Sequence, residues 1–134
     1  MKSQIGVMYE ELEYDADDCS AATVWADVER DAWMVSGKHA FGNGFDFRFS
    51  YMDADVWECG SKSSCQGDAE DDTDAEAYNI GLFYTMPAGT ELRVTYSEVE
   101  NSDNSAYDFG INGGGAVGGE DIEMFAIGIV HWFD

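Results

Sequence analysis

The sequence predicts an all-β chain, an antiparallel up-and-down sheet that forms part of a membrane-spanning β-barrel. Three observations lead there. Apolar and polar residues alternate through successive runs of about ten residues, the period of a strand with one greasy and one polar face. Tight turns and long acidic loops join these runs in alternation, which puts short connections at one end of a sheet and long ones at the other. No run of about 18 apolar residues occurs, so length excludes a spanning helix, whereas barrel strands need only about 9–11 alternating residues. Composition agrees: 28 Asp+Glu against 6 Lys+Arg give a net charge of -22, yet 14% of residues are aromatic, with 15 Gly and 1 Pro. Disordered acidic chains lack such aromatic content, so charge and greasiness must be separated in space. The acidity argues against nucleic acid or an anionic membrane surface as partner and suits a saline or divalent-rich exterior. At 134 residues the chain is a single domain by length.

The first strand runs from Gln4 to Leu12, with Ile5, Val7 and Tyr9 on one face and Gln4, Gly6 and Met8 on the other. Turn-forming and charged residues from Asp15 to Ser20 interrupt it. The segment from about Ala22 to Phe41 reads as one long strand bulged near Arg30, or as two shorter strands. Its lower part sets Trp33, Val35, Gly37, His39 and Phe41 against Met34, Ser36, Lys38 and Ala40. Gly42-Asn43-Gly44 is the strongest hairpin signal of the chain. In the strand after it, Phe45, Phe47, Phe49 and Tyr51 alternate with Asp46, Arg48, Ser50 and Met52. A long acidic loop is expected from Asp53 to Thr73. Ala75 to Met86 then forms a strand with Tyr78, Ile80, Leu82, Tyr84 and Met86 outward and Asn79, Gly81, Phe83 and Thr85 inward. Pro87-Ala88-Gly89 makes a short turn. Leu92, Val94 and Tyr96 are the greasy positions of the next strand, about Thr90 to Glu100, and Glu91, Arg93, Thr95 and Ser97 its polar ones. A second long loop, Asn101 to Glu120, precedes a last strand from Phe125 to Phe133, whose larger apolar residues, Phe125, Ile127, Ile129 and Phe133, share a face.

Three cysteines are an odd number: Cys59 and Cys65, close enough to pair within one exposed loop, are expected to form a disulfide, and Cys19 has no obvious partner. Met1-Lys2-Ser3 leads straight into a strand without the apolar stretch of a secretory signal, so the expectation is a chain whose signal has been removed, or a fragment.

The ending Gly128-x-x-His131-x-Phe133 resembles the C-terminal assembly signal of bacterial outer-membrane barrels, from which Asp134 departs by following the phenylalanine. With Phe41-Gly42-Asn43-Gly44-Phe45, Tyr78-Asn79-Ile80-Gly81 and Leu92-Arg93-Val94-Thr95-Tyr96, most of the chain resembles the C-terminal part of a Gram-negative general porin. The resemblance implies a homotrimeric diffusion channel of about 16 strands for ions and small hydrophilic solutes in the outer membrane of a Gram-negative bacterium. It implies lipid and lipopolysaccharide as surroundings and the barrel assembly machinery as partner, reading Gly128, His131 and Phe133. Six strands would then be the C-terminal portion of a larger barrel. An open sheet leaves unpaired backbone at both edges, which lipid does not tolerate, so further strands or further copies are expected to close it.

In this layout Lys38, Arg48 and Arg93 lie three or four residues from a short turn and form a belt about 10 Å above the periplasmic rim. With Asp46, Asn79, Glu91 and Thr95 they are the expected pore lining, since a charged belt biases which ions pass. The competing reading pairs them locally with Asp46 and Glu91 to hold strands in register. Asp68, Glu70, Asp71, Asp72 and Asp74 offer oxygen ligands but lack the spacing of a calcium loop, so no cofactor is expected beyond Ca²⁺ or Mg²⁺ held weakly by acidic loops. His39 and His131 sit in matching His-x-Phe sequences, but four strand spacings of about 4.8 Å keep them nearly 20 Å apart, too far to share a metal. Interfacial anchoring suits them better. No activated nucleophile or carboxylate pair suggests catalysis, and the protein is expected not to be an enzyme. The alternative function is a non-conducting β-barrel anchor or ligand-binding module.

Overall fold

The computed structural model describes residues 1–15, 27–59, 72–109 and 117–133. Alternating sequence becomes strand throughout: β1 (Lys2–Asp15), β2 (Asp27–Ala40), β3 (Phe45–Ala54), a two-residue β4 (Glu58–Cys59), β5 (Ala75–Thr85), β6 (Thr90–Asn101) and β7 (Ile122–His131). They form one antiparallel sheet in the order β1-β2-β3-β5-β6-β7, with β4 paired beside β2 through Val28 and Glu29. The main strands follow one another up and down with no crossover.

Two sequence expectations need correction. The bulge near Arg30 is absent: β1 and β2 pair without a break from Lys2 opposite Ala40 to Asp15 opposite Asp27. The charged triplet Glu29-Arg30-Asp31 keeps strand geometry because it stands among polar neighbours at the sheet's outer end, where alternation of greasiness is not required. The segment after Asp53 is not loop throughout, since Glu58 and Cys59 return to the edge of β2.

Both tight turns use glycine where the backbone demands it. Gly42 and Gly44 have φ of 85° and 88°, and Gly89 has 75°, a region other residues rarely adopt. The Gly44 carbonyl accepts from Thr85 N at 2.8 Å, and the Gly89 carbonyl from Trp132 N at 3.0 Å, so each turn is tied to a neighbouring strand.

Register sorts the side chains into rows. Phe47, Leu82, Val94 and Ile127 lie across from one another on one face, as do Phe49, Ile80, Tyr96 and Phe125. Phe125, Ile127 and Ile129 are 65%, 76% and 69% exposed. Met124, Ala126, Gly128 and Val130, on the opposite face, are half-buried. Side chains inside a curved sheet crowd and shield one another, so the half-buried polar face is the concave one. Among the described residues no large side chain is fully buried, and the only buried apolar residues are Ala75 and Val99. A soluble barrel would bury apolar side chains inside, so this sheet is inverted relative to that arrangement.

Aromatic residues bound the greasy face at both ends. Toward the tight turns, Phe45 stacks on Tyr84 at 4.4 Å, and the rings of His39 and Phe41, and of His131 and Phe133, meet edge to face at 4.8 and 4.5 Å. Toward the long loops stand Trp33, Tyr51, Tyr78 and Tyr96. Tyr78 and Tyr96 both donate to Glu98, and Trp33 packs 5.2 Å from Tyr51. From Trp33 to Phe41 the chain advances about 26 Å at ~3.3 Å per residue, close to the ~25 Å apolar band of outer-membrane barrels.

Candidate functional site: a charged belt on the concave face

The belt is built by β2, β3, β5, β6 and β7. Register sets Lys38 opposite Arg48, Arg48 opposite Gly81, and Gly81 opposite Thr95; one row nearer the tight turns stand Asp46, Phe83, Arg93 and Gly128. All share the concave face because strand side chains alternate with period two. Lys38 Nζ lies 2.7 Å from Asp46 Oδ2. Arg48 Nη2 lies 3.3 Å from both Asp46 Oδ2 and Glu91 Oε2. The guanidinium also sits 3.8 Å above the centre of the Phe83 ring. Gly81 makes this possible: a Cβ there would fall 2.7 Å from that ring and 3.0 Å from Thr95 Cγ2.

Arg93 is different. It is exposed and, among the described residues, makes no ion pair. Its side chain lies over Gly128, where a Cβ would stand 2.7 Å from Nε. Lys38, Arg48 and Arg93 against Asp46 and Glu91 leave this group with a net charge of +1. One row further from the tight turns, Asn79 Nδ2 donates to Ser50 Oγ at 3.1 Å. Thus Lys38 and Arg48 are held in local ion pairs, whereas Arg93, two residues from Glu91 on the same face of β6, forms none among the described residues. Lys2 was missed by sequence reasoning; its place opposite Ala40 puts it on the same face, and only the register reveals that.

At the other end of the concave face, residues 102–109 turn back over the sheet. Asn101 organises this. Its Nδ2 donates to the carbonyls of Tyr107 and Glu120 at 3.0 and 2.8 Å, and its Oδ1 accepts from Tyr107 N and Ser105 Oγ at 2.8 and 3.2 Å. Backbone bonds from Ser102 N to Asp74 O and from Asn104 N to Asp72 O prolong the pairing of β5 with β6 beyond the strand ends. Arg30 donates to the Tyr107 hydroxyl, with its guanidinium 4.4 Å from the Trp57 ring centre. Sequence reasoning assigned Asn101 to a loop and gave Arg30 no role, because both partners are distant in sequence.

His39 and His131 occupy equivalent positions on separate strands and bond Ser3 Oγ and Thr90 Oγ1 through Nδ1 at 2.8 and 2.7 Å. Cys19, Cys65, Asp68, Glu70, Asp71 and the glycine run at Gly113 lie outside the described residues, and with them the pairing of Cys59 with Cys65. Asp72 and Asp74 are described, and no metal-ligand cluster occurs among the described residues.

A backbone in hydrocarbon must satisfy its hydrogen bonds internally, and a sheet achieves this only by closing on itself. A convex face that needs lipid and a concave face that needs water therefore define the wall of a transmembrane β-barrel. A family model described as Gram-negative porin matches residues 2–133, and the chain belongs to that family. It is an outer-membrane protein with a porin-like channel fold, from a family of channels rather than enzymes. No curated protein and no solved structure matches it.

Proposed function

We propose that the chain forms part of the wall of a diffusion channel for ions and small hydrophilic solutes. Lys38, Asp46, Arg48, Asn79, Glu91, Arg93 and Thr95 line its water-filled lumen. The observation that carries this reading is the contrast between the two faces over the central strands: the rows of Lys38, Arg48 and Thr95, of Asp46 and Arg93, and of Ser50, Asn79 and Ser97 put polar groups on the concave face, while the rows between them on the convex face are apolar. A homotrimer, lipopolysaccharide around the outer girdle, and recognition of Gly128, His131 and Phe133 during assembly complete the proposal. The 134 residues supply the C-terminal strands of a larger barrel. The test is current across planar bilayers containing the complete barrel. Stepwise conductance in KCl supports a channel; its absence from correctly folded protein favours a non-conducting anchor or binding module.

A further inference from the structure

One row of the concave face is not polar. Met8, Met34, Met52, Ala77, Val99 and Ile122 lie directly across from one another on all six main strands. In the next row outward, Ala32, Ala54 and Ala75 continue this apolar surface. The Met row stands four residues from the row of Lys38 and Arg48, about 13 Å along the strands. The segment carrying Tyr107 covers only the β5 and β6 side of the row: Val99 is buried, whereas Met8 and Met52 are 49% and 38% exposed. Between them lies a cavity of about 280 Å³ bordered by the three methionines, Val99 and Tyr107.

A water-filled lumen has no need of an apolar row across its full width. Methionine is flexible and polarizable, and it accommodates apolar and aromatic groups of varied shape. The charge around the row is negative. Glu10, Asp53, Glu76 and Asp108 border the cavity against a single cation, Arg30, which donates to the Tyr107 hydroxyl, and Glu11, Glu29, Asp31, Asp55 and Glu58 border an adjoining cavity of about 160 Å³ that Arg30 also lines, so carboxylates outnumber the one guanidinium around both. Within a Debye length of about 8 Å, such a rim concentrates cations and repels anions.

The geometry points to a subsite for organic cations with an aromatic or alkyl body, seated on Met8, Met34 and Met52 beside Tyr107, with the ammonium toward Glu10. This rests on the reading of the concave face as a solute path, which conductance in KCl tests separately.

The experiment uses the complete barrel in lipid nanodiscs with ¹³C-methyl methionine, titrated with benzyltrimethylammonium, choline and benzoate. Benzyltrimethylammonium is expected to shift the Met8, Met34 and Met52 methyls saturably, while Met1 and Met86 stay in place. Choline and benzoate should bind at least about tenfold more weakly, since one lacks the apolar body and the other has the wrong charge. Met34→Ser with Met52→Ser should weaken binding about tenfold, read at Met8, while Met34→Leu with Met52→Leu keeps it within about threefold. Equal affinity for choline or benzoate overturns the inference. So do shifts of equal size at Met1 and Met86, which mean partition into lipid, and an absence of shifts, which means that another segment covers the row. Methyl shifts in a barrel that passes no current would retain the subsite and overturn the channel reading alone.

Discussion

Removing Arg93 and removing the Lys38–Asp46 pair are different operations on the same belt. Arg93→Gln takes the net charge of the five belt residues from +1 to zero, whereas Lys38→Gln with Asp46→Asn leaves it unchanged. A unit charge about 8 Å from a passing ion acts with about 0.5 kcal/mol in water, cut to about 0.2 kcal/mol by screening over one Debye length, and with opposite sign on cations and anions, so Arg93→Gln should raise cation over anion permeability about twofold. Reversal potentials in a salt gradient check this, and the paired replacement should leave them in place. Adding Arg48→Gln to Arg93→Gln should raise cation preference further. A second test concerns backbone. Gly44 combines φ of 88° with a carbonyl, that of Thr85, only 2.7 Å from where a Cβ would be. Gly44→Ala should therefore destabilise the barrel by about 1–2 kcal/mol or more, seen as a lower denaturant midpoint in lipid.

At the scale of elements, the segment 102–109 depends on one side chain. Asn101 meets two donor and two acceptor demands at once, and Asn101→Ala leaves several of those groups without a partner. A cost of about 1–3 kcal/mol to the closed segment follows, visible as faster amide exchange at Tyr107 with strand exchange unaffected. This segment also shows where sequence reading stopped. The strands were legible because alternation at Phe45–Tyr51, Tyr78–Tyr84 and Leu92–Tyr96 reports directly on a two-faced environment, and the turns because Gly42, Gly44 and Gly89 mark backbone that few residues tolerate. Pairing across strands was not legible in the same way. The row from Met8 to Ile122 draws on every main strand, and no single strand carries more than one of its residues. Nor does local sequence foretell that Arg30 reaches Tyr107, which needs the inward turn of a loop rich in neither charge pattern nor apolar spacing. The bulge expected near Arg30 failed for a related reason: irregular hydrophobicity there marks the end of the greasy band, not a break in the ladder.

For the molecule as a whole, the scarcity of buried apolar side chains decides where it can fold. With only Ala75 and Val99 as buried apolar residues among those described, stability must come from strand pairing and from the medium on the convex face. Far-UV circular dichroism should therefore show sheet in lipid or detergent and its loss in plain buffer. Carboxylates crowd the long-loop end of the sheet, at Glu10, Glu11, Glu13, Glu29, Asp31, Asp53, Glu58, Glu76, Glu98 and Glu100, while the belt of Lys38, Arg48 and Arg93 lies toward the tight turns. Charge at that end acts over about 8 Å at physiological salt, so cation preference should be strongest at low salt and fall as salt is raised. The unbroken register has one more effect. Because every main pair holds a single alignment from end to end, a slip by one residue would turn a strand's whole set of side chains over. Lys38, Arg48 or Arg93 would then face hydrocarbon, at about 2–4 kcal/mol each near the midplane. The bilayer thus proofreads assembly: the charges that face water in the correct alignment make each misaligned one insoluble in the membrane.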